Sequence, residues 1–400
     1  MRRPTRPRRT RGRSMVGTRF TAVVGPIAHG GHCVTRVEVP GQDRPRVVFT
    51  RHALPGERVV LVITEGGERD SFWRGDAVEV LDPSPDRVSP PCRYAGPDGC
   101  GGCDFQHVAL PAQRELKASV IREQLVRLAG LAAGDPLLTG LVVEQVPGDV
   151  GGLRWRTRQR YVPLGSADGT PRRGMRKHRS HEVIEIEECL LAAPHAREPR
   201  PGTVRERVEP STAAGHDFEV AADGFWQVHP GAPAALVGAV LEGLDPRPGD
   251  RVLDLYAGVG LFSAFLADRV GPDGTVTAVE GDRTASSYAA RNVPAARVYG
   301  GEVAGVLAAA PASTPADPVD LVVLDPPREG AGGAVVRAVA ARAPRAVAYV
   351  ACDPAALARD LATFAELGYR PTSLRAFDLF PMTHHVECVA LLTKTGSDLR

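Results

Sequence analysis

From about Asp223 onward, short apolar runs alternate with alanine-rich segments of helical pattern, and this alternation restricts the fold more than any other feature of the chain. The apolar runs lie at residues 251–255, 275–279, 319–324 and 347–350. Strands that alternate with helices form βαβ units, and these build a parallel, doubly wound sheet. Ligands of such sheets bind where the strands end. We therefore predict a Rossmann-like α/β domain over residues 223–400, with its functional site at the carboxyl ends of the runs.

The loop after the first run indicates a nucleoside-bearing cofactor. The stretch Asp254-Leu255-Tyr256-Ala257-Gly258-Val259-Gly260 places glycines where the backbone can turn sharply and approach a ligand. Glu280 ends the second run, where a carboxylate can bind both hydroxyls of a ribose. Asp254 would repel a pyrophosphate, but it suits the cationic methionine end of S-adenosylmethionine. The pattern therefore favours a methyltransferase over a nicotinamide enzyme, whose glycine fingerprint is incomplete because Ser263 stands at its third glycine.

A thiol and a carboxylate stand at two further strand ends and indicate the target atom. Cys352 follows the fourth run, and Glu387 begins another apolar run. Taken singly, they could be a packed core cysteine and a solvated strand-end carboxylate. Together they suit methylation of uracil C5, because a thiolate added at C6 turns C5 into a nucleophile and a carboxylate then removes the C5 proton. Arg328 follows Asp325-Pro326-Pro327 where amine methyltransferases carry an aromatic residue, which argues against an exocyclic amine as target.

These motifs resemble the RNA uracil-5-methyltransferase family, in particular its iron–sulfur, TRAM-domain-bearing branch that modifies bacterial 23S ribosomal RNA. The resemblance covers nearly the whole chain from Val16, and its most specific elements are residues 225–227, 254–260, 325–328, 351–354 and 385–387. It implies Cys352 as nucleophile and Glu387 as general base. It implies S-adenosylmethionine contacts at Gln227, Tyr256, Glu280 and Asp325, to which the glycine-loop pattern adds Gly258 and Gly260. His229 and Asp353 depart from the family, which has asparagine at both positions.

Four cysteines form a candidate metal site. Cys92, Cys100 and Cys103 crowd together, and Cys189 lies far downstream. Four thiolates suit a [4Fe–4S] cluster or a zinc ion, and their spacing alone does not separate the two. The family resemblance implies the [4Fe–4S] cluster, although the gap between Cys92 and Cys100 is longer than in the family. Cys388 is predicted to be core, because it faces away from Glu387 on a strand.

The sequence predicts three segments in the N-terminal part of the chain, residues 1–222. Residues 1–14 are arginine-rich and are predicted to form a disordered basic tail, with Met15 as an alternative start. Residues 15–82 consist of short apolar runs between glycine- and proline-rich turns, which predicts a small OB-like β-barrel resembling a TRAM domain. Residues 83–222 are predicted to form a central iron–sulfur domain, with a helix over 110–131.

RNA is the expected partner. The barrel is expected to contact RNA, because barrels of this type commonly bind nucleic acids, and residues 154–161 and 172–179 are basic islands of the kind that contact phosphates. Trp155 and Tyr161 are candidates to stack a base, and a structured target uridine must be flipped out to reach Cys352.

Composition restricts the setting. An apolar share of 43% and a charged share of 24% are typical of a soluble protein. We expect no membrane association and a cytoplasmic location, because no long apolar segment is present and none follows the arginine-rich start. A monomer is expected. The predicted function is S-adenosylmethionine-dependent methylation of a uridine C5 in 23S ribosomal RNA; the alternatives are a transfer-RNA uracil-5-methyltransferase and a non-catalytic RNA-binding protein with a relict methyltransferase fold.

Overall fold

The computed structural model describes residues 11–165, 172–309 and 319–395. The chain divides into two compact units. The first, here called the barrel unit, takes its described residues from Met1–Leu116, Tyr161–Cys189 and Pro381–His384. The second, the sheet unit, takes them from Lys117–Arg160, Leu190–Phe380 and His385–Arg400. Among the described residues, no helix is long and apolar enough to cross a membrane.

The barrel unit begins with five strands that close into a barrel in the order β1-β2-β3-β5-β4. The strands are β1 (Arg19–Ala28), β2 (His32–Val37), β3 (Arg46–Arg51), β4 (Arg58–Glu65) and β5 (Phe72–Asp82). The side chains of β4 alternate in burial, as expected for a strand with one face toward a core. Val59, Leu61 and Ile63 are fully buried, while the residues between them are more exposed. The predicted OB-like barrel is confirmed.

The prediction of a disordered tail over residues 1–14 is wrong for residues 11–14. Residues 1–10 lie outside the described part of the chain. Arg11 and Arg13 accept backbone hydrogen bonds from Arg69 and Glu68, each 2.9 Å long, and Ser14 pairs with Gly67. Residues 11–14 are therefore tied to the turn between β4 and β5, because the backbone groups of that turn find their partners there.

The remaining elements follow the barrel in chain order. The strands are β6 (Val143–Gln145), β7 (Arg156–Arg158), β8 (Val162–Leu164), β9 (Arg172–Arg176), β10 (Val183–Glu185), β11 (Ala192–Arg197), β12 (Thr203–Val208), β13 (His216–Ala221), β14 (Arg251–Leu255), β15 (Thr275–Glu280), β16 (Arg297–Gly300), β17 (Leu321–Leu324), β18 (Ala346–Ala351), β19 (Tyr369–Asp378) and β20 (Glu387–Lys394). The helices are α1 (Leu110–Ala129), α2 (Pro136–Thr139), α3 (Ala232–Leu244), α4 (Leu261–Val270), α5 (Arg283–Asn292), α6 (Val303–Ala308), α7 (Gly332–Ala341) and α8 (Pro354–Glu366).

The segment predicted as one central domain, residues 83–222, contributes to both units. Strands β8, β9 and β10 form a small antiparallel sheet in the barrel unit. Strand β6 instead joins the edge of the large sheet, and β12 pairs with β13 in the sheet unit. In the described part of the chain, residues 83–222 are therefore not a third compact unit.

The sheet unit is built on one large sheet in the order β16-β15-β14-β17-β18-β20-β19-β6. Both faces are covered, as β18 shows: Ala346, Ala348 and Val350 belong to one apolar core, and Val347 and Tyr349 belong to the other. Burial on both faces explains why the parallel strands appear in the sequence as continuous apolar runs. The predicted Rossmann-like fold is confirmed.

One strand reverses direction. Strand β20 pairs antiparallel with both β18 and β19, whereas the pairs from β16 to β18 are parallel. Ala351 at the end of β18 lies opposite Cys388, the second residue of β20. The start of β20 therefore lies at the rim where β18 ends, which brings Glu387 to the same edge as Cys352.

Candidate active site

The loop after β14 adopts a backbone conformation that its glycines permit. Gly258 and Gly260 have φ angles of 58° and 93°, in the left-handed region that glycine tolerates. At Gly260 any Cβ would lie 2.8 Å from Cγ2 of Val293, so a larger residue would push the loop outward. Tyr256 also has a positive φ, 64°, which strains a non-glycine residue at the point where the loop leaves the strand.

Glu280 fixes this loop from the neighbouring strand. Its carboxylate accepts a 2.8 Å hydrogen bond from the Gly258 N–H and a 2.7 Å bond from the Asp282 N–H. Each carboxylate oxygen has a second lone-pair site, so a ribose hydroxyl can still be bound. The glycine loop and Glu280 are therefore in direct contact, and the predicted role of Glu280 as a ribose ligand stays a prediction.

Asn292, at the end of α5, holds the same loop and has no signature in the sequence. Its amide donates hydrogen bonds to the carbonyl oxygens of Val259 and Glu219, at 2.9 and 3.0 Å. Its side-chain oxygen accepts one from the Glu219 N–H at 2.9 Å. Sequence reasoning missed this residue because its partners are backbone groups on distant segments.

Two aspartates lie next to the loop, Asp254 buried and Asp325 half-buried. Asp254 is fully buried; Ser263 donates a 2.6 Å hydrogen bond to one of its oxygens, and the other has no partner among the described residues. Burial raises the pKa of Asp254 to about 7, and burial together with the charges of Asp254 and Glu280 raises the pKa of Asp325 to about 7. A pair of neighbouring carboxyl groups of this kind suits a cationic ligand, such as the sulfonium compound expected from the sequence.

Cys352 and Glu387 form the other half of the site. Cys352 is half-buried, and burial, followed by the charge of Glu387, raises the pKa of its thiol to about 12. Glu387 is only 4% exposed, and burial, with the charge of Asp325, raises its pKa well above the usual value. Arg328 opposes both shifts, since its positive charge favours the ionised forms. Strongly shifted groups that interact in one place are typical of catalytic sites.

The structure accounts for one departure from the family pattern. Asp353 caps helix α8: one carboxylate oxygen accepts hydrogen bonds from the N–H groups of Ala355 and Ala356, at 3.1 and 2.9 Å. The side-chain oxygen of an asparagine can accept the same bonds, since both residues are good caps. Aspartate at this position therefore keeps the geometry of the turn that presents Cys352.

Gln227 lies on a segment that is anchored from both sides. The Thr157 N–H and hydroxyl both donate to the Val228 carbonyl oxygen, at 2.9 and 3.0 Å, and the ring of Trp226 lies 5.7 Å from that of Phe218. Gln227 itself is half-buried. His229 is fully buried, and burial lowers its pKa, so it is a neutral imidazole where the family has asparagine.

The four candidate metal-ligating cysteines are half-buried in the barrel unit. The Gln106 side chain accepts a hydrogen bond from the Cys92 N–H and donates one to the Cys103 sulfur, at 3.0 and 3.1 Å. Cys189 is close enough to raise the pKa of the Cys92 thiol, after the larger effect of burial. Among the described residues, no group of three or more histidine, cysteine, aspartate or glutamate side chains is arranged around a metal position.

Trp155 cannot stack a base, contrary to the sequence prediction. It is completely buried, and its ring packs 6.0 Å from the rings of both His229 and Phe380. The alternation of cations and aromatics in the sequence concealed that this tryptophan points into the core. Tyr161, the other candidate, is half-buried beneath the guanidinium of Arg173, which lies 4.9 Å from its ring centre.

Two family models match parts of the chain. The model described as tRNA (Uracil-5-)-methyltransferase matches residues 318–395, and the model described as methyltransferase small domain matches residues 237–349. Both matches include β17 and the Asp325 loop.

Relatives match almost the whole chain. A protein of Streptomyces avermitilis named uncharacterized RNA methyltransferase is 44% identical over 96% of this chain and 100% of its own length. The 23S rRNA (uracil(1939)-C(5))-methyltransferase RlmD of Chromohalobacter salexigens is 32% identical over 92% of this chain and 88% of its own length. The crystal structure of Pyrococcus abyssi tRNA (uracil-54, C5)-methyltransferase in complex with S-adenosyl-L-homocysteine has a TM-score of 0.64 at 19% identity, covering 93% of this chain and 99% of that one.

The sheet order is that of a Rossmann-like fold, which the Pyrococcus abyssi structure shares. The family models and the relatives show that the chain is a methyltransferase. The relatives at 44% and 32% identity show in addition that the chain belongs to the RNA uracil-5-methyltransferase family.

The raised pKa of Asp325 predicts a pH dependence of stability. The native pKa of about 7 exceeds the value near 4 of an exposed aspartate, so this carboxyl stabilises the fold below about pH 4 and loses that contribution as the pH rises through 7. Relative to Asp325→Asn, the wild type should lose free energy of unfolding between pH 5 and 8, by up to about 1.4 kcal/mol per pH unit. Urea denaturation at several pH values measures this difference. Asp217→Asn, at an exposed position, is the control. If the difference in free energy of unfolding between the wild type and Asp325→Asn stays constant from pH 5 to 8, the raised pKa of Asp325 is contradicted.

Proposed function

We propose that this enzyme transfers a methyl group from S-adenosylmethionine to C5 of a uridine in 23S ribosomal RNA, through a covalent bond between Cys352 and C6 of the base. The observation that carries the proposal is the meeting of Cys352 and Glu387 at one rim of the sheet, beside the Asp325 loop. The relative named 23S rRNA (uracil(1939)-C(5))-methyltransferase supports the choice of substrate.

The residues around the glycine loop fit the cofactor. The buried oxygen of Asp254 that has no partner among the described residues, and the half-buried carboxyl of Asp325, would face its cationic end. Glu280 would bind its ribose, while Tyr256, Gly258, Gly260 and Gln227 would line it. At Gly258 a Cβ would meet no atom within 4 Å, so the loop leaves open space on its outer side. When bound, this cofactor supplies an electrophilic methyl group on sulfur.

The side chains of this chain carry out the proton and base chemistry. Cys352 gives up its thiol proton to water and adds to uracil C6 as the thiolate, and Arg328 assists because its charge favours the ionised sulfur. Once C5 carries the methyl group, Glu387 removes the C5 proton. The high pKa of Glu387 makes its ionised form a strong base, and the proton taken from C5 can then pass to the leaving sulfur. Elimination of Cys352 completes the cycle.

A cluster of guanidinium groups supports RNA binding in the sheet unit. The pKa of Arg158 is lowered by burial and then by the charges of Arg197 and Arg160. Like charges held close together are stabilised when a phosphate lies between them. We propose that Arg158 and Arg160 contact the RNA backbone, whereas Arg197, Arg172 and Lys177 are already paired with Glu206, Glu185 and Glu182.

We also propose a [4Fe–4S] cluster on Cys92, Cys100, Cys103 and Cys189. The sulfurs of Cys103 and Cys100 accept N–H hydrogen bonds from Gln106 and Gly102, at 3.1 and 3.4 Å, and such bonds stabilise the ionised sulfurs of iron–sulfur proteins. The cysteine loop is also tied into the barrel unit, since the Asp104 and Phe105 N–H groups both donate to the Met382 carbonyl oxygen at 3.0 Å. The cluster would stabilise the fold of the barrel unit and would take no part in the chemistry on uracil.

Glu387→Gln should trap the covalent intermediate. The variant keeps the nucleophile, so addition and methyl transfer can occur, but the C5 proton has no acceptor. With labelled RNA and S-adenosylmethionine, we expect a slowly migrating, protease-sensitive band on a denaturing gel. Sequencing the trapped RNA distinguishes ribosomal from transfer RNA.

Cys352→Ala is the matched control, and the double variant should show no band. Normal turnover by Glu387→Gln, or an adduct that survives the loss of Cys352, contradicts the assigned roles. Absence of any methylation by the wild type on total RNA supports the non-catalytic alternative.

Protein purified without oxygen should contain about four irons and four sulfides per chain. Cys189→Ser should lose most of this iron, whereas Cys352→Ala, which changes a cysteine outside the quartet, should keep it. Metal analysis and the visible absorption spectrum measure both. Stoichiometric zinc without iron in the anaerobic protein would overturn the cluster assignment.

A further inference from the structure

A buried carboxylate outside the predicted site collects three hydrogen bonds on one oxygen. Asp360 of α8 is 5% exposed. Its Oδ2 accepts hydrogen bonds from the Tyr349 hydroxyl at 2.5 Å, the Ala331 N–H at 2.8 Å and the Gly332 N–H at 3.2 Å. The Tyr349 oxygen itself accepts from the Ala331 N–H at 2.9 Å. A buried acceptor with this many donors fixes the position of every group that it binds.

The two backbone donors end the loop that carries Asp325 and Arg328. Ala331 is the N-cap residue of α7 and provides no side-chain hydrogen bond to the helix, so Asp360 caps the helix from a different element. Gly330 has a φ of 89°, and a Cβ there would lie 2.6 Å from Asp360 Oδ2. Glycine at this position is therefore what allows the loop to approach the carboxylate so closely.

The other contacts of Asp360 belong to the segments on either side of Cys352. Tyr349 precedes Cys352 on β18, and Asp360 lies on the helix that begins at Pro354. Burial, followed by the charge of Asp360, raises the pKa of Tyr349, so its hydroxyl remains a donor. The charge of Asp360 also contributes, after burial, to raising the pKa of Tyr256 to about 12.

We propose that Asp360 is a positioning residue that fixes the loop of residues 326–332, and with it Arg328, relative to Cys352. The inference rests on the proposed function, because it concerns the geometry in which Arg328 assists the thiolate. Asp360 accepts hydrogen bonds directly from the loop of residues 326–332. On Tyr256 of the glycine loop, by contrast, Asp360 acts through its charge. Its loss should therefore slow the chemical step and leave cofactor binding nearly unchanged.

Asp360→Asn tests this proposal with two kinds of measurement. The amide oxygen can still accept these hydrogen bonds, but it lacks the negative charge that strengthens them, so the loop should loosen. We expect kcat for RNA methylation to fall at least tenfold, while the KM for S-adenosylmethionine and the Kd for S-adenosylhomocysteine stay within twofold. Amide hydrogen exchange at Ala331 and Gly332 should accelerate at least tenfold. Tyr349→Phe, which keeps the carboxylate, should give a smaller loss of kcat in the same direction, and it serves as the test should Asp360→Asn not fold.

Asp320→Asn is the matched control. Asp320 accepts three hydrogen bonds from Arg251, at 2.8, 2.9 and 3.0 Å, but lies before β17, at the opposite rim of the sheet. The Asp320→Asn substitution should lower the melting temperature about as much as Asp360→Asn does, but it should leave kcat within twofold of the wild type. Equal kcat values for Asp360→Asn and Asp320→Asn, or unchanged exchange at Ala331 and Gly332, would overturn the proposal. A wild type without methylation activity would instead refute the proposed function, and the exchange measurement would still decide whether Asp360 holds the loop.

Discussion

The reversed direction of β20 is the constraint on which the candidate site depends. A parallel strand in its place would begin at the opposite rim, and Glu387 would lie a full strand length away from Cys352. Because β20 runs antiparallel with Ala351 opposite Cys388, the next residues outward on the two strands are the thiol and the carboxylate. The pairing of Phe377 with Glu387 fixes the other side of β20. Backbone hydrogen bonds along two strands therefore set the separation of the two groups, and this gives the site a rigid base.

The second property of the site is the density of acidic groups at its rim. Asp254, Asp325, Glu387 and the Cys352 thiol all have raised pKa values, and burial is the largest cause for each. An empty site of this kind holds protons that a cationic ligand would displace, since the ligand favours the ionised forms. Arg328 is the positive group that acts on both Cys352 and Glu387, which explains why the position of its loop matters. The acidity of the site and the anchoring of that loop by Asp360 are thus parts of one electrostatic arrangement.

Local patterns predicted the parts of the structure that depend on neighbours in the sequence. The apolar runs at 251–255 and 347–350 are strands in the structure, and the helix predicted over 110–131 is α1 (Leu110–Ala129). These elements were predictable because hydrophobic periodicity and the glycines that end it are local signals. Long-range contacts escaped prediction: β6 joins the sheet edge from the segment assigned to a central domain, and Asn292 binds backbone groups of distant segments. Trp155 was misplaced because a short basic stretch does not reveal which of its aromatics is buried. Cys388 was placed correctly in the core, since strand alternation fixes which side chain faces away from its neighbour.

The central claim is that Cys352 becomes covalently bonded to the uracil ring while Glu387 removes the C5 proton. RNA in which uridine is replaced by 5-fluorouridine tests it in the unmodified enzyme. Fluorine at C5 cannot leave as a proton does, so after methyl transfer Glu387 has nothing to remove and Cys352 cannot be eliminated. Mass spectrometry of the digested product should find a peptide containing Cys352 joined to a nucleotide that carries both fluorine and a methyl group. A free enzyme with no such adduct, or an adduct on a different cysteine, would contradict the account.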